Sequence, residues 1–417
     1  MKKIIEKVIY ILLIFIILIG KQAIYAGIED NEEIDVNNIK QETIETTSNL
    51  DSSPKLNSRV ALVYDRSSGR VLYEKNGDKQ TPMASTTKIM TAIVVIENSN
   101  LNDIVTINAK AAGTGGSRLG LKKNDKITVQ NLLYGLMLKS GNDAAVALAG
   151  HIGGSIEGFA DLMNKKAIEL GLINTHFVVP HGLDSEEHYT TAYELAKITD
   201  YALNIDKIKE IVGTKQYTVT INGNAKTISN TNELLGNLNG VYGVKTGFTN
   251  GAGRCLVTSC KRDELDIITV VIGADTKKYR TSDSIQLIEY VNKNYKIIDI
   301  KQIVEEKFDE WKRINKDRII INKGACDKIQ LQLESLKYEK MAIKNTQIDN
   351  IEVEINSLFY LEAPVAEESV IGTAKIKLGE EVIEVLNIYN ENQIKKKEIG
   401  NYFIEFFRVY SNIKIRV

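Results

Sequence analysis

The sequence predicts an α+β fold for residues 58–300, followed by a smaller β-rich domain at residues 303–394. In the first segment, strand-like stretches lie at both ends and helix-like stretches lie between them, whereas a βαβ fold would alternate the two. In the second segment, residues 351–355 and 374–378 alternate apolar and polar side chains, as half-buried strands do. A chain of 417 residues is long enough for two such domains.

The composition is that of an ordinary globular protein, with 43% hydrophobic and 26% charged residues. The net charge of −1 gives no indication of nucleic-acid binding. The three cysteines are an odd number, which argues against a disulfide framework. Cys255 and Cys260 lie on one predicted strand and face opposite sides, and we interpret them as small core residues.

The N-terminus has the features of an export signal. Lysines at positions 2, 3 and 7 precede an apolar run of about 13 residues, which is short for a membrane-spanning helix. We expect residues 1–26 to be a signal peptide cleaved after Ala26, with an uncleaved anchor as the alternative. Residues 27–57 are polar, acidic and without periodicity, and we expect them to form a disordered linker.

Turn residues and hydrophobic periodicity place the elements of residues 58–300. Ser67-Ser68-Gly69 and Asn222-Gly223-Asn224 each separate two alternating stretches, which predicts two β-hairpins. Apolar residues three or four positions apart predict helices. These are expected at residues 85–96, 129–138, 144–151, 155–170, 191–202 and 283–295. Further strands are expected at residues 104–107, 243–247, 255–261 and 265–274.

The first candidate for chemistry is the pair Ser85 and Lys88. The two residues are three positions apart, so one helical turn places them on the same face. A hydroxyl needs an adjacent base to become a nucleophile, and a lysine can serve if its surroundings favour the neutral amine. The spacing alone is weak evidence, because it also occurs at Ser52/Lys55 and Ser411/Lys414.

Two further motifs strengthen the interpretation. Ser140-Gly141-Asn142 and Lys245-Thr246-Gly247 follow the first pair in this order. The three motifs together are the signature of penicillin-binding proteins and serine β-lactamases.

Residues from about 58 to 300 resemble the low-molecular-mass penicillin-binding proteins, the serine-type D-Ala-D-Ala carboxypeptidases. The resemblance extends to longer blocks at residues 83–92, 116–121, 138–145, 174–177, 180–184, 188–193 and 243–249. It implies a catalytic domain of the β-lactamase/transpeptidase type, with an antiparallel sheet, a helical cluster and the active site between them. The segment after residue 300 resembles the C-terminal β domain of the family only loosely.

The resemblance also implies roles for individual residues. Ser85 would attack the carbonyl of the penultimate D-alanine, and Lys88 would accept its proton. Ser140 would relay a proton to the leaving amine, and Asn142 would hold both the substrate amide and Lys88. The remaining substrate-binding positions are implied to be Lys245, Thr246, Gly247, Phe248 and Arg280. Of these, Lys245, Thr246 and Arg280 would bind the terminal carboxylate, and the backbone N–H groups of Ser85 and Phe248 would form the oxyanion hole.

The family resemblance implies the stem peptide of peptidoglycan as substrate and β-lactam antibiotics as inhibitors. It also implies a location in the cell wall or at the outer face of the cytoplasmic membrane. No cofactor or metal is expected, because the histidines lack the spacing of a zinc motif. We interpret these residues, His151, His176, His181 and His188, as structural or surface histidines.

Two other functions are open to a chain with these motifs. A class A β-lactamase needs a Glu-x-x-Leu-Asn loop, and the nearest approach, at residues 169–174, has the wrong spacing. A non-catalytic scaffold that binds peptidoglycan would be expected to have lost Ser85 or Lys88, and both are present. We therefore expect a carboxypeptidase.

The tail, residues 395–417, is basic and aromatic, and it is too short and too charged to span a bilayer. It has the composition of an amphipathic anchor that lies in the membrane interface. A final strand or helix packed on the β-rich domain is the alternative.

Overall fold

The computed structural model describes residues 34–46, 53–326 and 328–414, and it divides the chain into two compact units. The N-terminal unit ends at Asn294 and the C-terminal unit begins at Tyr295. The expected signal peptide lies outside the described residues.

The N-terminal unit contains nine strands and nine helices within the described ranges. The strands are β1 (Val60–Asp65), β2 (Val71–Lys75), β3 (Ile104–Thr106), β4 (Lys126–Thr128), β5 (Gln216–Ile221), β6 (Asn224–Ser229), β7 (Val241–Thr249), β8 (Gly253–Arg262) and β9 (Leu265–Ala274). The helices are α1 (Val36–Thr46), α2 (Lys88–Asn98), α3 (Ala109–Ala112), α4 (Val129–Met137), α5 (Asn142–Gly153), α6 (Ile156–Glu169), α7 (Ala192–Leu203), α8 (Asp206–Val212) and α9 (Lys277–Asn294).

Five of the strands form one antiparallel sheet in the order β2-β1-β9-β8-β7. Strands β1 and β9 are buried at almost every position, so both faces of the sheet are covered. Their near-continuous apolar sequences follow from this, because a strand covered on both sides has no solvent face to alternate with. Helix α9 packs against β8 and β9, and α7 packs against β1 and β9.

Helix α2 forms the centre of the helical cluster. Every residue from Lys88 to Val95 is buried, so the helix has no polar face at this end. A helix that is apolar all round requires other elements on every side, and α5, α6, α7 and α4 supply them. This α+β arrangement is the one that the sequence predicts for residues 58–300.

The expected disordered linker contains a helix, which is a correction to the sequence analysis. In α1, Val36, Ile39 and Thr43 are buried, and α1 packs against α9. The carboxylate of Asp35 caps the helix by accepting hydrogen bonds from the backbone N–H groups of Asn37 and Asn38, at 3.0 and 3.1 Å. The buried residues recur every three or four positions, and this stripe is too short to stand out against the polar composition.

Two polar contacts also join α1 to α9. The Thr43 hydroxyl lies 3.2 Å from that of Ser282, and Glu42 pairs with Lys278 at 3.0 Å. Helix α9 is itself longer than expected, because it begins at Lys277 rather than near residue 283.

The C-terminal unit contains eight strands and two helices among its described residues. They are β10 (Tyr295–Asp299), α10 (Ile300–Asn315), β11 (Ile320–Asn322), β12 (Leu331–Leu333), β13 (Lys340–Lys344), β14 (Ile351–Ser357), β15 (Tyr360–Glu362), β16 (Val370–Leu378), β17 (Glu381–Asn390) and α11 (Ile399–Lys414). Four strands form an antiparallel sheet in the order β12-β17-β16-β14.

The two stretches that alternate in the sequence, within β14 and β16, are paired neighbours in this sheet. Helix α10 was not expected, and it buries Ile300, Val304 and Phe308 along one face. None of the helices in the described part of the chain combines the length and apolarity that crossing a bilayer demands.

The packing of α1 can be tested with Ile39→Asp. The change removes about 2 kcal/mol of apolar burial and places a charge against α9. We expect the backbone amides of residues 36–46 to exchange hydrogen much faster and the melting temperature to fall. Asn38→Asp introduces the same charge on the exposed side of the helix and should change neither quantity. Unaltered exchange in the Ile39 variant would contradict this packing.

Candidate active site

Ser85 lies in a single turn of 3-10 helix, Ala84–Thr87, that leads directly into α2. The turn begins with Ala84 at φ +48°, in the left-handed region. Ser85 is partly exposed, whereas Lys88 is fully buried at the start of α2. The Lys88 amine lies 2.7 Å from the Ser85 hydroxyl, so the structure brings the predicted pair together.

The Lys88 amine has two further hydrogen-bond partners besides the Ser85 hydroxyl. Nζ lies 2.8 Å from Asn142 Oδ1 and 2.8 Å from the backbone carbonyl of His181. Both of these oxygens only accept hydrogen bonds, whereas the Ser85 hydroxyl can donate one. Both forms of the amine fit this set: an ammonium donates to all three oxygens, whereas a neutral amine donates to Asn142 and His181 and its lone pair accepts the serine proton.

The surroundings of Lys88 favour that neutral form. Burial lowers the pKa of Lys88 well below 10.5, because a desolvated ammonium is costly. The positive charge of Lys245 lowers this pKa further, while Asp143 acts in the opposite direction. Burial and the charge of Lys245 therefore both favour the neutral amine, which is the form that can accept a proton.

Asn142 is the first residue of α5 and is held on both sides of its amide. Its Nδ2 donates to the carbonyl of Gly115 at 2.8 Å, which directs Oδ1 toward Lys88. Its backbone N–H donates to the carbonyl of Ser117 at 2.8 Å. Ser140, two residues earlier, has φ +59° and a buried side chain. The Ser-Gly-Asn motif thus forms a bend that places Asn142 in contact with Lys88.

Asp143 fixes the neighbouring loop. Its carboxylate accepts the backbone N–H groups of Leu119, Gly120 and Leu121 at 2.8 to 2.9 Å. The glycine-rich segment at residues 113–120 is therefore tied to the start of α5. These bonds were not predicted, although Asp143 belongs to a block that carries the family resemblance.

The Lys245-Thr246-Gly247 motif lies on β7 and passes directly beside the turn that carries Ser85. A side chain at Gly247 would come within 3.0 Å of the Ser85 backbone nitrogen and 3.3 Å of that of Thr86. The absence of a Cβ is thus what allows the strand and the turn to approach. The third motif is brought to the first by this contact.

Lys245 is buried beside this turn. Its amine donates to the backbone carbonyl of Thr246 at 2.9 Å. Burial, followed by the positive charge of Arg280, lowers the pKa of Lys245 to about 7. The Thr246 hydroxyl lies 2.7 Å from that of Thr231, so both groups of the motif are held in place.

Arg280 has a carboxylate partner within the chain that the sequence analysis did not predict. It is buried near the start of α9, and its guanidinium is paired with Glu233, which also accepts the hydroxyl of Thr281. The contact of Arg280 with a substrate carboxylate stays a prediction. Glu233 was missed, because nothing in its local sequence marks it as the partner of an arginine 47 positions away.

Phe248 follows the motif on β7, and its side chain is exposed, with the Arg254 guanidinium 3.9 Å above its ring.

The loop at residues 180–184 supplies contacts that sequence reasoning missed. Besides the His181 carbonyl, Asp184 accepts the Thr249 hydroxyl at 2.5 Å and the Gly251 N–H at 2.9 Å, which joins the loop to the turn after β7. In the described ranges, no group of three His, Cys, Asp or Glu side chains is arranged to hold a metal ion.

Comparison with known proteins gives consistent results for both compact units of the chain. A family model described as D-alanyl-D-alanine carboxypeptidase matches residues 47–276, and one for the C-terminal domain of penicillin-binding protein 5 matches residues 315–396. The D-alanyl-D-alanine carboxypeptidase DacF of Bacillus subtilis is 33% identical over 346 residues, which are 81% of this chain and 86% of the relative.

Solved structures give the same result. Penicillin-binding protein 5 from Haemophilus influenzae superposes with a TM-score of 0.68 at 27% identity, over 83% of this chain and 99% of the other. The Streptomyces K15 DD-transpeptidase covers 57% of this chain and 98% of its own, with a TM-score of 0.55 at 35% identity.

The burial of Lys245 predicts a pH-dependent cost to stability. In the unfolded chain Lys245 binds its proton near pH 10.5, but in the folded chain only near pH 7. Stability therefore falls as the pH drops from about 10.5 to about 7, and levels off below. Lys245→Met removes this titration.

We expect Lys245→Met to be more stable than the wild type at pH 7, by an amount of order 1 kcal/mol per pH unit of the window. Urea unfolding between pH 6 and 10 measures the difference. Lys122→Met, at an exposed position, controls for the substitution itself. A stability difference that does not vary with pH would show that Lys245 is charged in the folded state throughout.

Proposed function

Because the chain belongs to the D-alanyl-D-alanine carboxypeptidase family, we propose that it removes the terminal D-alanine of peptidoglycan stem peptides through an acyl-enzyme on Ser85. It is a hydrolase of the penicillin-binding type. The observation that carries the assignment of the nucleophile is the 2.7 Å contact between the Ser85 hydroxyl and the buried Lys88 amine, whose surroundings favour the neutral form.

In the proposed acylation step, Ser85 Oγ attacks the carbonyl carbon of the penultimate D-alanine and its proton passes to Lys88 Nζ. The backbone N–H groups of Ser85 and Phe248 stabilise the oxyanion of the tetrahedral intermediate. The C–N bond then breaks, and the proton held by Lys88 passes through the Ser140 hydroxyl to the departing D-alanine amine. In deacylation, water attacks the ester and gives its proton to Lys88, which returns it to Ser85 Oγ as the ester C–O bond breaks and the shortened peptide leaves.

Binding of the free carboxylate falls to the third motif. Lys245 and the Thr246 hydroxyl lie beside the Ser85 turn and offer a cation and a donor to the peptide end. A carboxylate next to Lys245 restores its protonated form, because an opposite charge favours the ammonium. Arg280 adds positive potential behind Lys245, and Gly247 keeps β7 close enough for the acyl chain to lie along it.

A β-lactamase role has less support. Glu169, the nearest candidate for a deacylating base, is at the end of α6 and pairs with Lys166 at 2.7 Å on a partly exposed surface. Glu169 is thus engaged with a lysine, and its segment lacks the spacing of a class A deacylation loop. β-Lactams are therefore expected to act as inhibitors that leave a slowly hydrolysed ester on Ser85.

We propose further that the enzyme works outside the cytoplasm and contacts a membrane surface through α11. The exposed large side chains of this helix are Ile399, Tyr402, Phe403, Ile404, Phe406, Phe407 and Tyr410. So many exposed aromatic residues on one helix favour an interfacial location, and the three lysines at residues 395–397 suit anionic headgroups.

Replacing Ser85 or Lys88 tests the nucleophile and its base. We expect Ser85→Ala to abolish both covalent labelling by fluorescent penicillin and release of D-alanine from a pentapeptide ending in D-Ala-D-Ala. Lys88→Met should bind substrate but acylate about 10²–10⁴-fold more slowly, the usual contribution of a general base. Mass spectrometry locates the label, and a label retained in the Ser85 variant would disprove the assignment.

Vesicle binding tests the role of α11. Phe403→Glu combined with Phe407→Glu should abolish co-sedimentation with vesicles containing anionic lipid, because it places two charges among the exposed aromatic residues. Hydrolysis of a soluble pentapeptide should not change. Val382→Glu combined with Val385→Glu, two exposed positions on β17, is the matched control and should bind like the wild type. Equal binding by both double variants would refute the anchor.

A further inference from the structure

A chain of three hydrogen bonds leads from the Val178 backbone, through the buried His188, to the residue before the nucleophile. His188 Nδ1 accepts the backbone N–H of Val178 at 3.0 Å. On the other side of the ring, Nε2 lies 2.8 Å from the hydroxyl of Thr87. The Thr87 hydroxyl lies 2.8 Å from the backbone carbonyl of Ala84.

The direction of every bond in this chain is determined. A carbonyl only accepts, so the Thr87 hydroxyl donates to Ala84 and must accept from His188. Nδ1 accepts from Val178, so the proton of the neutral ring is on Nε2, where it can be donated to Thr87. Burial, with a contribution from His176, lowers the pKa of His188 to about 4, which keeps the ring in this neutral form.

The carbonyl at the end of the chain has a special position. Ala84 has φ +48°, a region that residues other than glycine enter only when their surroundings impose it. Its C=O belongs to the same planar peptide unit as the N–H of Ser85, and in a trans peptide the two point in opposite directions. A bond that fixes the carbonyl of Ala84 therefore also fixes the direction of the Ser85 N–H.

Neighbouring atoms agree with this arrangement. The Ser85 nitrogen is on the side of β7, since a Cβ on Gly247 would come within 3.0 Å of it. On the opposite side, a Cβ on Gly182 would overlap the Ala84 carbonyl and come within 2.7 Å of the Thr87 hydroxyl. The loop that supplies the His181 carbonyl to Lys88 thus closes over the same bond.

We propose that His188 and Thr87 are positioning residues, which hold the Ala84–Ser85 peptide so that the Ser85 N–H points at the oxyanion of the acylation step. This inference rests on the proposed role of Ser85 as nucleophile. Neither residue touches the substrate. Their effect is on the transition state, because the N–H meets full negative charge only after attack.

Two matched pairs of variants separate the hydrogen bonds from the packing. Thr87→Val keeps the shape and removes the hydroxyl, whereas Thr87→Ser keeps the hydroxyl. His188→Gln retains a donor at the distance of Nε2, whereas His188→Asn retains only an acceptor at the position of Nδ1. Thr199→Val removes another buried hydroxyl, which bonds to Leu195 in α7, and is the control for a general loss of stability.

Rate constants are divided by the concentration of active sites, which titration with fluorescent penicillin measures, so that misfolded protein does not lower the kcat obtained. We expect Thr87→Val and His188→Asn to lower kcat at least tenfold with KM changed less than about twofold, and to weaken a peptide boronic acid inhibitor in parallel. The boronic acid bonds to Ser85 Oγ and places an oxygen in the oxyanion hole. Thr87→Ser, His188→Gln and Thr199→Val should each stay within about threefold of the wild type.

The proposal is overturned if Thr87→Val and His188→Asn keep the wild-type kcat per site. It is also overturned if Thr199→Val loses as much as they do, or if the serine and glutamine variants give no rescue. If one variant does not fold, the pair at the other position decides. A wild-type label found on a residue other than Ser85 would instead refute the proposed function, so the two failures are distinguishable.

Discussion

Burial of a single amine is the constraint on which the rest of the structure depends. Lys88 has no solvent contact, and its three hydrogen-bond partners come from three separate parts of the chain. An exposed lysine would be charged at neutral pH and could not take a proton from a hydroxyl. The apolar surroundings of α2 are therefore as necessary to the chemistry as the serine, since they make the neutral amine the stable form.

The proposed reaction also needs a cation for the substrate carboxylate, and the two buried lysines have different environments. Burial and the charge of Lys245 lower the pKa of Lys88 well below 10.5, whereas burial and the charge of Arg280 lower the pKa of Lys245 to about 7, from which a bound carboxylate would raise it. Arg280 is paired with Glu233, yet its charge still lowers the pKa of Lys245. In the proposed mechanism, the positive charge therefore lies at the carboxylate-binding lysine and not at the base.

The sequence predicted the side chains of the site better than their supports. Ser85 and Lys88 were proposed from their spacing together with the two later motifs. The resemblance to the penicillin-binding carboxypeptidases, the α+β fold and the β-rich C-terminal domain are confirmed by the comparisons. The carbonyl of His181 could not be predicted, because a backbone acceptor leaves no signature in residue type. Helix α1 was missed for another reason: three buried residues in an acidic segment give a weaker signal than its overall composition.

Two residues of the site that are not glycine have left-handed backbones, and their placement follows from what each motif must do. Ala84 precedes the nucleophile and Ser140 precedes Asn142, so each reversal of the chain ends at a group that contacts Lys88. Such conformations cost about 1–3 kcal/mol each and persist only where neighbours impose them. Both residues are buried. Packing of the helical cluster therefore offsets the cost of these two conformations. As a result, the Ser85 hydroxyl and the Asn142 amide oxygen contact the Lys88 amine before any substrate binds.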